Sequence, residues 1–187
     1  MEALIQPVIP AGDYKLRPFA AKDAPAVRDA SGDPLIPLIT TVPAHGTESE
    51  ILQFIGRQIH RAATGTGYSF AIAETASDRA VGQIGLWLKD GDQGRASIGY
   101  WVAPSDRQRG VASAALEAIS RWGLDLPSIY RLQLYVEPWN EGSWRAAERC
   151  GYLREGLLRS WQDVGGHRKD MYMYARLRQQ TPATSVR

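Results

Sequence analysis

Apolar and polar positions follow two periods along this 187-residue chain, and the switches between the periods mark its elements. Tyr14-Lys15-Leu16-Arg17 alternates and stops at Pro18, which predicts a short first strand. A helix is expected from Ala24 to Ala30, with Pro25 suited to its first turn and Asp23 placed to cap it. Thr47-Glu48-Ser49-Glu50 has the Thr-x-x-Glu form of a capping box. The residues that follow, Ile51, Phe54, Ile55, Ile59 and Ala62, have helical spacing up to Gly65. Strands are then expected at Tyr68 to Glu74, Ala80 to Lys89 and Arg95 to Val102, joined by short turn-rich connections as an antiparallel meander. After Pro104 the period becomes helical from Val111 through Ala115, Leu116, Ile119 and Trp122, ending near Gly123. Arg131 to Val136 alternates again, Ser143 to Arg149 reads as a short helix stopped by Gly151, and two last strands start at Tyr152 and His167 around Gly165-Gly166. The order β-α-α-β-β-β-α-β-α-β-β predicts an α/β (α+β) architecture: a mixed, largely antiparallel sheet of seven strands flanked by about four helices.

The stretch from Ser31 to Gly46 carries Gly32, Pro34, Pro37 and Pro43 among apolar residues, and is expected as an ordered loop that lines a site. No repeat or low-complexity block divides the chain, so residues 14–177 are expected as one domain, with 1–13 as an N-terminal extension and 178–187 as a mobile C-terminal tail. Composition narrows the function. Twenty-two Lys and Arg against 20 Asp and Glu, a net charge of +2, provide no concentrated basic face, so neither a nucleic-acid partner nor a membrane partner is expected. One Cys, at 150, permits no intramolecular disulfide, and three dispersed His offer no zinc spacing, so no metal is expected. The opening MEALIQPVIPAG has no basic n-region, and no run approaches the roughly 18 apolar residues of a membrane span, so a cytoplasmic location is expected.

The segment richest in chemistry is Ile98 to Ser113, where a strand breaks at Pro104 and a helix starts at Gly110 or Val111. Small residues at such a turn leave backbone amides uncovered at the positive end of a helix, which suits a diphosphate, and Arg107 and Arg109 would add charge beside it. Gly110 alone is also compatible with nothing more than a tight strand-to-helix turn. Arg107-x-x-Gly110-x-Ala112 after Gly99-Tyr100-Trp101-Val102 resembles the pyrophosphate loop, (Gln/Arg)-x-x-Gly-x-(Gly/Ala), of the GNAT superfamily of acyl-CoA-dependent N-acyltransferases. A second block, Asn140-Glu-Gly-Ser143 followed by Gly151-Tyr-Leu-Arg-Glu155-Gly156, is similar to the signature of the RimJ/RimL-like branch, which contains ribosomal-protein N-terminal acetyltransferases.

The resemblance implies the GNAT fold and acetyl-CoA as co-substrate. Backbone amides of Arg107, Gln108, Arg109, Gly110, Val111, Ala112 and Ser113 would hold the pyrophosphate, and Trp101 and Val102 would lie along the pantetheine arm. Asn140 would contact the pantetheine and Ser143 the sulfur, although Asn140 and Ser143 also read as ordinary N-cap and first-turn residues. The family's splayed sheet would aim an N–H near Val102 at the thioester oxygen, and Ser143 would protonate the leaving sulfur. For the base, the residue aligned with a glutamate of some relatives is Gln162, which cannot take a proton; Asp163 would need a bulge to face the site. Glu137, Tyr100 and a water chain remain as alternatives.

The expected partners are thus acetyl-CoA and an amine acceptor, either a protein N-terminus or a small molecule, for a monomer or homodimer. The Ser31–Ile51 segment and the hairpin around Trp161 to His167 are expected to select the acceptor. A non-catalytic acyl-CoA-binding module on the same fold is the alternative. Cys150 reads as a structural thiol and His167 as a solvated strand residue. Of six tryptophans, Trp87 and Trp122 read as core, and Trp101, Trp139, Trp144 and Trp161 as neighbours of one cleft.

Overall fold

The computed structural model describes residues 4–179. Its elements are β1 (Ile9–Ala11), β2 (Tyr14–Pro18), α1 (Ala24–Ser31), α2 (Ile36–Ile39), α3 (Glu48–Ala63), β3 (Gly67–Glu74), β4 (Ala80–Trp87), β5 (Arg95–Val102), α4 (Val111–Asp125), β6 (Arg131–Val136), α5 (Glu141–Arg149), β7 (Leu153–Val164) and β8 (His167–Leu177). The strands form one eight-stranded sheet in the order β1-β2-β3-β4-β5-β6-β8-β7. Every pairing is antiparallel except that of β5 with β6. No described helix is long and apolar enough to cross a membrane.

Most expected elements form for the expected reasons. Thr47 and Glu50 make the reciprocal bonds of a capping box, the Thr47 N–H donating to the Glu50 carboxylate at 2.8 Å. Gly165 and Gly166 turn β7 into β8 with φ of 60° and 80°, a conformation that favours glycine.

Three features depart from the pattern-based expectation. An eighth strand, β1, lies in the segment expected as an extension, where Pro10 hides the alternation and edge pairing with β2 supplies the order. The Ser31–Gly46 loop contains the single-turn helix α2, started by Asp33 accepting from the Leu35 and Ile36 amides at 2.9 Å. Asp23 caps nothing at α1; its carboxylate is taken by the Arg17 guanidinium at 2.7 and 2.8 Å. The expected tail from 180 onward lies outside the described residues. Arg178 is ordered, donating to the Leu124 carbonyl at 2.8 Å.

Each face of the sheet carries a core. On one, α4 and α5 pack Val111, Ala115, Leu116, Ile119, Ala147 and Cys150 against Leu16, Phe70, Ile72, Ile84, Leu86 and Ile98. On the other, α1 and α3 pack Val27, Phe54 and Ile55 against Ala71, Ala80 and Trp101. Burial of each large apolar side chain contributes about 1.5–3 kcal/mol, and this fixes which face every residue of β5 presents. Even-numbered Ile98, Tyr100 and Val102 meet the α4 side, whereas Trp101 meets the α3 side.

Candidate active site

The parallel pairing of β5 and β6 stops early. Arg95, Ala96 and Ser97 pair with Arg131, Leu132 and Gln133, but β5 continues to Val102 and β6 to Val136 without further register. The strands therefore part like a V, and a cavity of about 370 Å³ opens beside the gap. The Ala103 N–H donates to the Val81 carbonyl, on the β4 side. Amides alternate along a strand, so the N–H groups of Tyr100 and Val102 point the other way, toward the gap.

Beyond β5 the chain turns through Pro104–Asp106 into α4. Gln108 and Gly110 both have positive φ, 62° and 75°, and a Cβ on Gly110 would meet nothing within 4 Å. No side chain caps α4. The N–H groups of Val111, Ala112 and Ser113 have no intrahelical acceptor, and they stay open at the positive end of a 15-residue helix. The uncapped amides and the open space over Gly110 fit a diphosphate.

The loop's own arginines do something other than expected. Instead of standing free beside an anion, Arg107 is paired with Asp33 at 2.6 Å, and Arg109 with Asp106 at 2.7 Å and Glu74 at 3.1 Å. Arg79 closes a four-membered network by binding both Asp106, at 2.7 Å, and Glu74, at 2.9 Å. Tyr14 donates to the Arg109 carbonyl, and the Ser105 hydroxyl to Asp29. The side chains hold the loop so that its backbone faces outward. The Ser77 hydroxyl and the Arg79 and Arg109 guanidinium groups keep the Glu74 carboxyl down at about 2. Asp106 is lowered chiefly by Arg79.

At the gap, the Tyr100 hydroxyl lies 2.8 Å from Ser143 Oγ and 3.2 Å from the Ser143 carbonyl. Burial pushes the Tyr100 phenol up to about 12, only partly offset by Ser143, so it keeps its proton at neutral pH. A protonated phenol can donate to Ser143 or to a group in the gap. Asn140 caps α5, accepting from the Ser143 N–H at 3.2 Å, and also lines the cavity. Glu137 lines it too; this buried carboxylate accepts from the Trp139 indole at 2.8 Å. A bulge does displace β7 between Leu158 and Gln162, yet it brings in Gln162 and not Asp163. Asp163 instead accepts from the Gly166 N–H in the hairpin turn. Cys150 is buried and donates to the Ser113 carbonyl at 3.4 Å.

Both segments expected to select an acceptor reach the cavity, through Ile39, Thr40 and Thr41 on one side and Gln162 on the other, where Met171 of β8 joins it. They also approach each other: a Cβ on Gly165 would lie 3.3 Å from Leu38 Cδ1. The floor is a buried polar cluster that sequence reasoning missed. The Trp101 indole donates to Gln83 Oε1 at 2.6 Å, and Gln83 Nε2 donates to Ser69 Oγ at 2.8 Å and Gln58 Oε1 at 3.1 Å. The Trp101 side chain is thereby committed to this floor, and its expected place along the cofactor is left to its backbone. Trp87, expected in the core, lines both this cavity and a smaller one of about 180 Å³ shared with Tyr135 and Trp161. A sequence signal existed: Gly85, whose Cβ would fall 2.2 Å from Trp87 Cζ2, leaves the space that the indole occupies. The Trp144 Nε1 is buried with no hydrogen-bond partner among the described residues. No group of His, Cys, Asp or Glu suited to a metal occurs among them either.

A splayed mixed sheet, an open-amide loop before α4 and a hydroxyl pair at the gap are the features expected of an acyl-CoA-dependent N-acyltransferase. The acetyltransferase (GNAT) domain model matches residues 14–153, and the chain belongs to that family. It is 26% identical over 165 residues, 88% of this chain and 93% of the relative, to an uncharacterized N-acetyltransferase p20 of Bacillus licheniformis. Among solved structures, a GNAT-family acetyltransferase from Bacillus anthracis superposes with a TM-score of 0.79 at 25% identity, covering 93% of this chain and all of that one. Mycobacterium smegmatis RimJ, solved in complex with CoA-disulfide, superposes with a TM-score of 0.75 at 27% identity, covering 91% of this chain and 85% of its own. The RimJ/RimL-like resemblance therefore extends from two short blocks to the whole fold.

Proposed function

We propose that this chain moves an acetyl group from acetyl-CoA directly to a primary amine, in a ternary complex formed across the β5–β6 gap. The observation that carries this reading is the convergence of the Tyr100–Ser143 hydroxyl pair and the Glu137 carboxylate on one cavity beside the β5–β6 gap. Acetyl-CoA supplies the activated acetyl group and a thiolate leaving group. The amides from Arg107 to Ser113 hold its diphosphate, and Asn140 holds the pantetheine once its cap bond to Ser143 is shared. The Val102 N–H takes up negative charge developing on the acetyl oxygen. Ser143, backed by the protonated Tyr100 phenol, hydrogen-bonds or protonates the leaving sulfur. Glu137, the sole carboxylate lining the cavity among the described residues, orients the amine and accepts its proton.

Glu137 supports transfer over the alternative of a non-catalytic acyl-CoA-binding module, because it offers the cleft a carboxylate where Gln162 does not. The acceptor is a protein N-terminus or a small amine, and the setting is the cytoplasm. Thiol release from acetyl-CoA with a panel of N-terminal peptides and small amines tests the proposal. Turnover that falls in Ser143→Ala is expected; tight acetyl-CoA binding with no CoA release on any acceptor would favour the binding module.

A further inference from the structure

Among the described residues, Arg61, on the last turn of α3, is the only cationic side chain lining the larger cavity, as Glu137 is the only anionic one. Its guanidinium carbon sits 4.5 Å from the Trp87 ring centroid, and its Nε donates to Gln58 Oε1 at 3.0 Å. Gln58 is fully buried and fixed in turn by Ser69 and Gln83. One face and the Nε edge of the guanidinium are thus held. The two terminal nitrogens have no hydrogen bond or ion pair with any described residue.

Three other arginines with restricted exposure are served differently: Arg17 has Asp23 and Asp78, Arg131 has Glu155, and Arg176 has Glu117. Burial, and then repulsion from Arg57 one turn earlier, both press against the Arg61 charge. A stacked, tethered guanidinium without a counter-ion presents two parallel N–H donors at fixed geometry, the fork that matches a carboxylate or phosphate.

We propose that Arg61 anchors an anionic group of the acceptor, so that the substrate class is a primary amine that also bears a carboxylate or a phosphate. This rests on the reading of the cleft as an amine-acetylating site. Glu137, from the end of β6, receives the amine end, and Arg61, from α3, receives the anionic end. The anion comes from a free small molecule or from an acidic residue near a protein N-terminus, and the chemistry is the same in both.

Binding of matched pairs to the protein–CoA complex tests this, with Trp87 fluorescence and calorimetry as readouts. The small-molecule arm compares glycine with glycinamide and phosphoethanolamine with ethanolamine. The peptide arm compares amidated tetrapeptides Ala-Glu-Ala-Ala and Ala-Gln-Ala-Ala. At least one acidic member is expected to bind about tenfold or more tightly than its neutral partner, as a charge-assisted bidentate contact requires. The ratio should fall to about one in Arg61→Gln and only partly in Arg61→Lys, which keeps the charge and loses the fork. Absence of a preference for the acid in every pair, or a preference that survives in Arg61→Gln, overturns the proposal. Thiol release measured on the same pairs separates the two readings: Arg61-dependent binding without CoA release refutes acetyl transfer and leaves the anion site standing.

Discussion

The two sides of the cleft use their charged side chains in opposite ways. On the cofactor side, Arg79, Arg107 and Arg109 are all paired with Asp33, Glu74 and Asp106, and what the loop leaves open is backbone. On the acceptor side the backbone is committed to the sheet, and what stays open is side chain: Arg61, Glu137, Tyr135 and Trp87. A surface built from amides recognises a diphosphate whatever the neighbouring side chains are. A surface built from side chains recognises one acceptor and can change without disturbing the cofactor.

The largest effect expected from this division is on Gly110→Asp. The site has room for a Cβ, so the protein should fold, at a cost of about 1–2 kcal/mol for a side chain at positive φ. The new carboxylate would stand where the diphosphate charge belongs, and calorimetry should show acetyl-CoA affinity reduced by about a hundredfold or more. Retained affinity would move the cofactor elsewhere. Next, Ser143→Ala and Tyr100→Phe should each lower kcat by about tenfold or more with little change in acetyl-CoA affinity, since they remove the sulfur's donors and not the diphosphate's. Unchanged kcat in both would take the hydroxyl pair out of the chemistry.

A smaller effect is expected at Asp106→Asn, which leaves Arg79 and Arg109 with Glu74 as their one shared carboxylate and loosens the loop, weakening acetyl-CoA binding by about three- to tenfold. The pH dependence follows from the same acids. Glu74 and Asp106 have folded-state pKa values below their unfolded ones, Glu74 at about 2, so their contribution is present above about pH 5 and is lost as pH falls toward 2. Melting temperature should therefore drop between pH 5 and 3, and drop less steeply in Asp106→Asn. An identical slope in the variant would show that the network does not carry the acid sensitivity. The smallest signal is optical: acetyl-CoA should alter tryptophan emission through Trp139 and Trp144, which flank the Asn140–Ser143 turn.

The same division explains what was legible in the sequence. The cofactor side is local: Arg107, Gly110 and Ala112 lie within one turn and Asn140 and Ser143 within another, so short spacing carries them. The acceptor side gathers Thr40, Gln58, Arg61, Gln83, Trp87, Tyr135 and Gln162 from distant elements, and no spacing links them before the sheet forms. Trp87 looked like core because strand position alone cannot distinguish a side chain packed on glycines from one packed on leucines. Gln58 and Gln83 carried no signal in the sequence because their partners, Ser69 and Trp101, lie on other elements inside otherwise apolar strands. β1 was hidden by Pro10, and the pairing of Arg107 with Asp33 and of Arg109 with Glu74 was hidden because those counter-ions come from other parts of the chain.

A crystal structure of the protein with acetyl-CoA tests the central claim most directly. The account predicts the diphosphate within hydrogen-bond reach of the Val111, Ala112 and Ser113 amides, the thioester in the β5–β6 gap beside Val102, and the sulfur next to the Tyr100–Ser143 pair. A cofactor seated away from this loop, or a thioester that bypasses the gap, would contradict it.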